Sequence, residues 1–141
     1  MRVKSHTEVT VGEELTARTL HVDRATLVHY AGASGDRNVI HWDEQTARAV
    51  GLPDVIAHGM WTMGAAIEAV TDWVGDPARV LEYRTRFTRP VVVPHDGGAD
   101  VEVTAVVTSV DPDTRQSVVE LTASSAGQKV LGRCTARVQL D

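Results

Sequence analysis

The run GMWTMGAAIEAVTDWV, Gly59–Val74, decides how this chain folds. Its apolar residues leave almost no polar face at helical spacing, though Glu68, Thr71 and Asp72 interrupt them. A helix that is apolar nearly all round has to be wrapped by other elements. The run is also shorter than the roughly 20 residues that cross a bilayer. We therefore expect a buried helix over Met60 to Val74, opened by His58-Gly59.

Downstream of Gly75-Asp76-Pro77 the pattern changes to strand. Leu81, Tyr83, Thr85 and Phe87 alternate with Glu82, Arg84 and Arg86, the period of a half-buried strand. Val101, Val103, Ala105 and Val107 alternate in the same way. Asp111-Pro112-Asp113-Thr114 predicts a turn into Val118–Ala123, and Ala126-Gly127-Gln128 a turn into Val130–Leu140. Short turns imply antiparallel neighbours, so the expected wrapping is an antiparallel sheet curled around one helix, an α+β architecture.

Upstream, Glu8 to Val22 reads as one or two strands around a turn at Gly12-Glu13. Asp23 suits a helix N-cap, with Leu27, Tyr30 and Ala31 at helical spacing behind it. Gly32, Ser34 and Gly35 end that helix. Asp43 suits the cap of a second, short helix that stops at Gly51-Leu52-Pro53.

The 141 residues form an expected single domain, 1–141, large enough for a real core. A net charge of -5 argues against sequence-independent nucleic-acid binding, which needs a basic face. Cys134 is the only cysteine, so no intrachain disulfide is possible. The first residues, from Met1 to His6, lack the apolar run of a signal peptide. A reduced, cytoplasmic setting without membrane contact is the expectation.

Two places concentrate chemistry. Tyr30–His41, YAGASGDRNVIH, sets Asp36, Asn38 and His41 within six residues of irregular backbone. An imidazole exchanges protons near neutral pH, and a nearby carboxylate complements it as acid or base. The plainer alternative is a turn whose Asp36 and Asn38 cap backbone groups. The second place is Ala57-His58-Gly59-Met60, where free helix amides favour negative charge and Gly59 admits a close approach. Gly59 could equally serve tight packing, and His58 reads first as a structural hydrogen-bonding residue. The six histidines show neither an HExxH pairing nor a close His/Cys cluster, so no metal site is expected. Cys134 reads as core. Arg84, Arg86 and Arg89 could meet phosphates of coenzyme A or a phosphopantetheine arm, or could simply line a solvated strand face.

Tyr30 to His41, followed by Trp42-Asp43-Glu44, resembles the signature of the MaoC-like (R-specific) hydratases and dehydratases. That signature is an aromatic, small residues, then Gly-Asp-x-Asn-Pro-aliphatic-His. Asp36, Asn38 and His41 match, while Val39 stands where proline is usual. Ala57-His58-Gly59-Met60, Arg86-Phe87, Pro90-Val91 and Pro94-x-Asp96 continue the likeness in order. Gly51–Asp54, Trp73–Pro77 and Ser109–Pro112 look most similar to the B-type subunits of mycobacterial (3R)-hydroxyacyl-carrier-protein dehydratases.

The resemblance implies a hot-dog fold, no metal or redox cofactor, and pairing into a homodimer or a heterodimer with another hot-dog subunit. It implies water addition or removal on acyl-carrier-protein or coenzyme A thioesters, in fatty-acid or related elongation. Asp36 and His41 would be the catalytic pair, Asn38 their support and Gly59 the amide that holds the thioester carbonyl. Valine at 39 preserves extended geometry but stiffens the turn less than proline would. The rival expectations are a non-catalytic acyl-binding subunit and a hot-dog thioesterase.

Overall fold

A computed structural model describes residues 2–141; Met1 lies outside the described residues. Five antiparallel strands form one sheet in the order β1-β3-β4-β5-β2. They are β1 Arg18–Val22, β2 Val80–Phe87, β3 Ala99–Asp111, β4 Gln116–Ser125 and β5 Gln128–Gln139. The helices precede most of the sheet in sequence: α1 Arg24–Ser34, α2 Glu44–Ala49, α3 Gly59–Ala66 and α4 Glu68–Val74. This is the expected α+β hot-dog architecture.

Alternation explains the sheet. Val101, Val103, Ala105 and Val107 on β3, Val119, Leu121 and Ala123 on β4, and Cys134, Ala136 and Val138 on β5 are all buried. They join Ala66, Ala69, Val70 and Val74 from α3 and α4 in one apolar cluster. Each fully buried valine or leucine contributes about 1.5–3 kcal/mol of transfer free energy. Ser117 is also fully buried on β4; its hydroxyl donates to the Ser109 carbonyl at 2.9 Å, which compensates its lost hydration. At the β3–β4 turn, the Asp111 carboxylate accepts from the Asp113 and Thr114 amides at 2.9 and 3.3 Å.

Two expectations need correction. First, Met60–Val74 is not one continuous helix: α3 and α4 meet at Ile67. Tyr83 Oη donates to the Met63 carbonyl at 2.7 Å, and the Ile67 amide is left 3.4 Å from the same oxygen. A side chain competing for a ladder carbonyl loosens that turn. The α4 end is sharper, closed by Gly75 at φ 93, a left-handed conformation that suits glycine.

Second, this chain wraps the helices on one side only. Thr62, Ala66, Ala69, Val70 and Val74 are buried, whereas Met60 is 60% exposed and Gly64 is also open. Trp61, Met63 and Ala65 are half-buried.

Of the one or two strands expected in Glu8–Val22, the chain forms one, β1. Before β1 the chain makes a 3₁₀ turn at His6–Glu8 and a single bridge, Glu14 to Val106. Around the turn at Gly12, the Gly12 and Leu15 amides donate to the Val107 and Ala105 carbonyls, at 2.8 and 2.9 Å. Trp73 Nε1 reaches this arm at Glu13 Oε1, 2.9 Å away, which gives the indole a polar outlet from the core.

Among the described residues, no helix is long and apolar enough to cross a membrane.

Candidate active site

The loop between α1 and α2 is placed from both ends. Asp23 caps α1 as expected, accepting from the Thr26 amide at 2.9 Å while Thr26 Oγ1 accepts from the Asp23 amide at 3.3 Å. α1 stops at Ser34, and Gly35 at φ 79 turns the chain outward with its amide on the Ala31 carbonyl. Asp43 then caps α2 through the Thr46 amide at 3.3 Å. Arg24 ties both helices to the segment entering α3. Its guanidinium meets Glu44 at 3.0 Å, Asp54 at 2.9 Å and the Val93 carbonyl at 2.8 Å.

Inside the loop, short polar side chains bond forward to backbone. Ser34 Oγ accepts from the Asp36 amide, Asp36 Oδ1 from the Asn38 amide, and Asn38 Oδ1 from the Ile40 amide, at 3.1, 3.2 and 3.3 Å. Asn38 therefore meets Asp36 through its main chain, while its side chain caps the 3₁₀ turn Val39–His41.

His41 is 7% exposed, and its Nδ1 lies 2.6 Å from the Ile56 carbonyl. A carbonyl only accepts, so Nδ1 carries the proton and Nε2 is the basic nitrogen of the neutral ring. Nε2 faces Asp36 Oδ2 at 3.9 Å, too far for a direct hydrogen bond. The Asp36 side chain is 54% exposed and that of His41 only 8%.

His58 completes the cluster. Its Nε2 donates to the Asp36 carbonyl at 3.0 Å, and its ring stacks on His41 with centroids 3.7 Å apart and 22° between planes. Tyr30 packs on it at 4.7 Å. His58 is 2% exposed, and burial pushes its pKa below the ordinary histidine range. The ring is thus a neutral support beside His41, and the expected structural hydrogen bond is the one it makes.

Sequence spacing gave no sign of this His–His contact. Asp36, His41 and His58 bring one ligand atom each within 4.8 Å of one another. They fit a metal poorly. Imidazole lone pairs lie in the ring plane, and two stacked rings direct them side by side instead of onto one ion. One nitrogen of each ring is also occupied by a backbone carbonyl.

A cleft of about 620 Å³ opens beside this cluster, bordered by Tyr30, Asp36, His58, Gly59, Phe87 and Arg89 among others. His41 is not among the residues that border it, but its ring stacks on that of His58. Gly59 is the first residue of α3, so its amide belongs to the turn that lacks helical acceptors. A Cβ at Gly59 would lie 2.9 Å from the Phe87 ring. A side chain at 59 would have to push the half-exposed Phe87 ring aside. Of the three arginines singled out in the sequence, Arg89 borders the cleft, whereas Arg84 pairs with Glu82 at 2.7 Å and Arg86 is exposed on β2. Cys134 is buried, which raises its thiol pKa and makes it a core residue, as expected.

The MaoC-like domain family matches residues 6–127. The chain belongs to that family. A solved MaoC-like dehydratase is 43% identical to this MaoC-like domain and superposes with a TM-score of 0.96 over 99% of it. The 3-hydroxyacyl-thioester dehydratase X of Mycobacterium tuberculosis is 37% identical over 82 residues, 58% of the chain. The 3-hydroxybutyryl-CoA dehydratase of Methylorubrum extorquens is 32% identical over 112 residues, covering 78% of the chain and 68% of that protein. The domain spans 43% of the first of these relatives and 28% of the second.

Proposed function

We propose that this MaoC-like domain interconverts (3R)-3-hydroxyacyl thioesters with trans-2-enoyl thioesters plus water, with Asp36 and His41 moving the protons. One observation carries the reading: the basic His41 Nε2 and the Asp36 carboxylate face each other across 3.9 Å without bonding. A water molecule can donate one hydrogen to each of two acceptors at that separation, and a substrate hydroxyl can donate to one of them.

Dehydration breaks the C2–H and C3–O bonds, forms the C2=C3 bond and releases water. The pair starts as two acceptors. It takes the proton from C2 and delivers one to the departing oxygen, so its own charge is restored at the end. Negative charge grows on the thioester oxygen as C2 is deprotonated, and the Gly59 amide at the α3 N-terminus is the donor in reach of the cleft. Asn38 supports the pair through its amide on Asp36.

Residues 1–141 act in this reading as one MaoC-like unit in a reduced, cytoplasmic setting, on acyl-carrier-protein or coenzyme A thioesters in acyl-chain elongation. The open side of α3, with Met60 and Gly64 uncovered, favours a dimer in which this copy or another hot-dog subunit covers it.

Hydration of a panel of enoyl thioesters, followed as loss of the conjugated absorbance, tests the reading. The panel varies chain length and carrier. Turnover by the isolated chain is the expected result. Binding without turnover would instead make this a non-catalytic acyl-binding subunit, and free-thiol release would make it a thioesterase.

A further inference from the structure

Five consecutive carbonyls of the site loop each accept a hydrogen bond. Asp36 O takes His58 Nε2, and Arg37 O takes Trp42 Nε1 at 3.1 Å. Asn38 O takes the His41 amide, Val39 O the Trp42 and Asp43 amides, and Ile40 O the Ile56 amide. Only the first two bonds come from side chains. His58 belongs to the histidine stack, so Trp42 is the one side-chain donor on this loop that lies outside the Asp36–His41–His58 cluster.

We infer that Trp42 is a positioning residue: its indole N–H clamps the Arg37 carbonyl and so holds Asp36 opposite His41, replacing the stiffness of a proline at position 39. The inference rests on the reading of Asp36 and His41 as the reacting pair.

Three features support it. Trp42 is 51% exposed, so packing alone gives little reason for so large an apolar side chain there, whereas a tethered indole has one. The bond closes a ring from Arg37 to Trp42 that contains His41 and adjoins Asp36, so a shift in either residue must stretch it. The backbone around Val39 is also already shaped for proline. Asn38 sits at φ -56, ψ 127, its ψ within the range a residue before proline adopts. Val39 opens a 3₁₀ turn, where the first amide has no partner within the turn to lose. The valine therefore marks a loop that could use proline without rearrangement and is held from outside instead.

The test uses Trp42→Phe, Val39→Pro and the double variant. Two measurements are made on each: kcat and KM for enoyl-thioester hydration, and the rate of tryptic cleavage after the exposed Arg37. Losing one net hydrogen bond should open the loop about fivefold more often. Trp42→Phe should then be cut after Arg37 about fivefold faster and lose a similar factor in kcat, with KM little changed, because alignment and not binding is lost. Val39→Pro in the Trp42→Phe background should reverse both effects, a rescue that a merely structural role for the indole does not predict.

Parental cleavage in Trp42→Phe would overturn the clamp. Faster cleavage with parental kcat would overturn its positioning role. A parental chain inactive on every enoyl thioester would instead sink the hydratase reading, and the cleavage ratio would then still decide whether the indole holds the loop.

Discussion

The sheet and the site loop are built on opposite principles. From β3 to β5, position along the strand decides which face a residue takes, and burial of that face does the rest. From Ser34 to Trp42 almost nothing is periodic. Position there depends on individual bonds: Ser34, Asp36 and Asn38 to amides, and His41, His58 and Trp42 to carbonyls. A sheet shares its load among many interchangeable contacts, while the loop assigns each bond to one partner. Damage to the sheet should therefore appear as lost stability, and damage to the loop as lost turnover.

The largest effects should separate the two regions cleanly. Leu121→Ala removes a buried side chain from the middle of β4 and should cost about 2–5 kcal/mol in urea unfolding, with turnover per folded molecule unchanged. Asp36→Asn and His41→Ala should do the reverse. Each should leave a folded protein but lower hydration by about 10² or more, and near-parental turnover in either would remove that residue from the mechanism.

Tyr83→Phe probes the border between the regions, since the hydroxyl of a β2 residue holds the Met63 carbonyl of α3. Its loss should cost about 0.5–1.5 kcal/mol in the same unfolding assay, reduced to the extent that the Ile67 amide moves closer to the freed carbonyl. A destabilisation above that range would mean that the phenol holds α3 through more than this bond.

The smallest expected effect depends on pH. Burial keeps the folded His58 pKa below its unfolded value of about 6.5. Between those two values the unfolded chain binds more protons, so stability should decline as pH falls below about 6.5. It should level off once the folded ring is itself protonated. Urea midpoints measured from about pH 7.5 down to about pH 5 should show this slope in the parent and a shallower one in His58→Gln. Equal slopes would show that the ring's burial has no bearing on acid sensitivity.

The same contrast explains what could be read from the sequence. Strand positions on β3, β4 and β5 follow from alternation, and the α1 and α2 caps follow from Asp23 and Asp43. The Asp36–His41 approach was also legible, because five positions of irregular chain leave the two side chains near one another. The His41–His58 stack was not, since it joins residues on separate elements that only the fold brings together. The break at Ile67 was hidden for a similar reason: the Tyr83 hydroxyl that loosens the helix arrives from β2. The open side of α3 misled in its own way. An apolar helix states that it needs cover, but not which chain provides it.

Most surface loops absorb an added residue by bulging into solvent. The stretch from Asp36 to Ile40 has no such slack, because every one of its carbonyls has an appointed donor. One residue inserted there would shift each oxygen by a place and leave the indole and the imidazole facing the wrong peptide groups. In this protein, length variation should be tolerated at the Asp111–Gln116 hairpin and refused in this loop, exposed though most of it is.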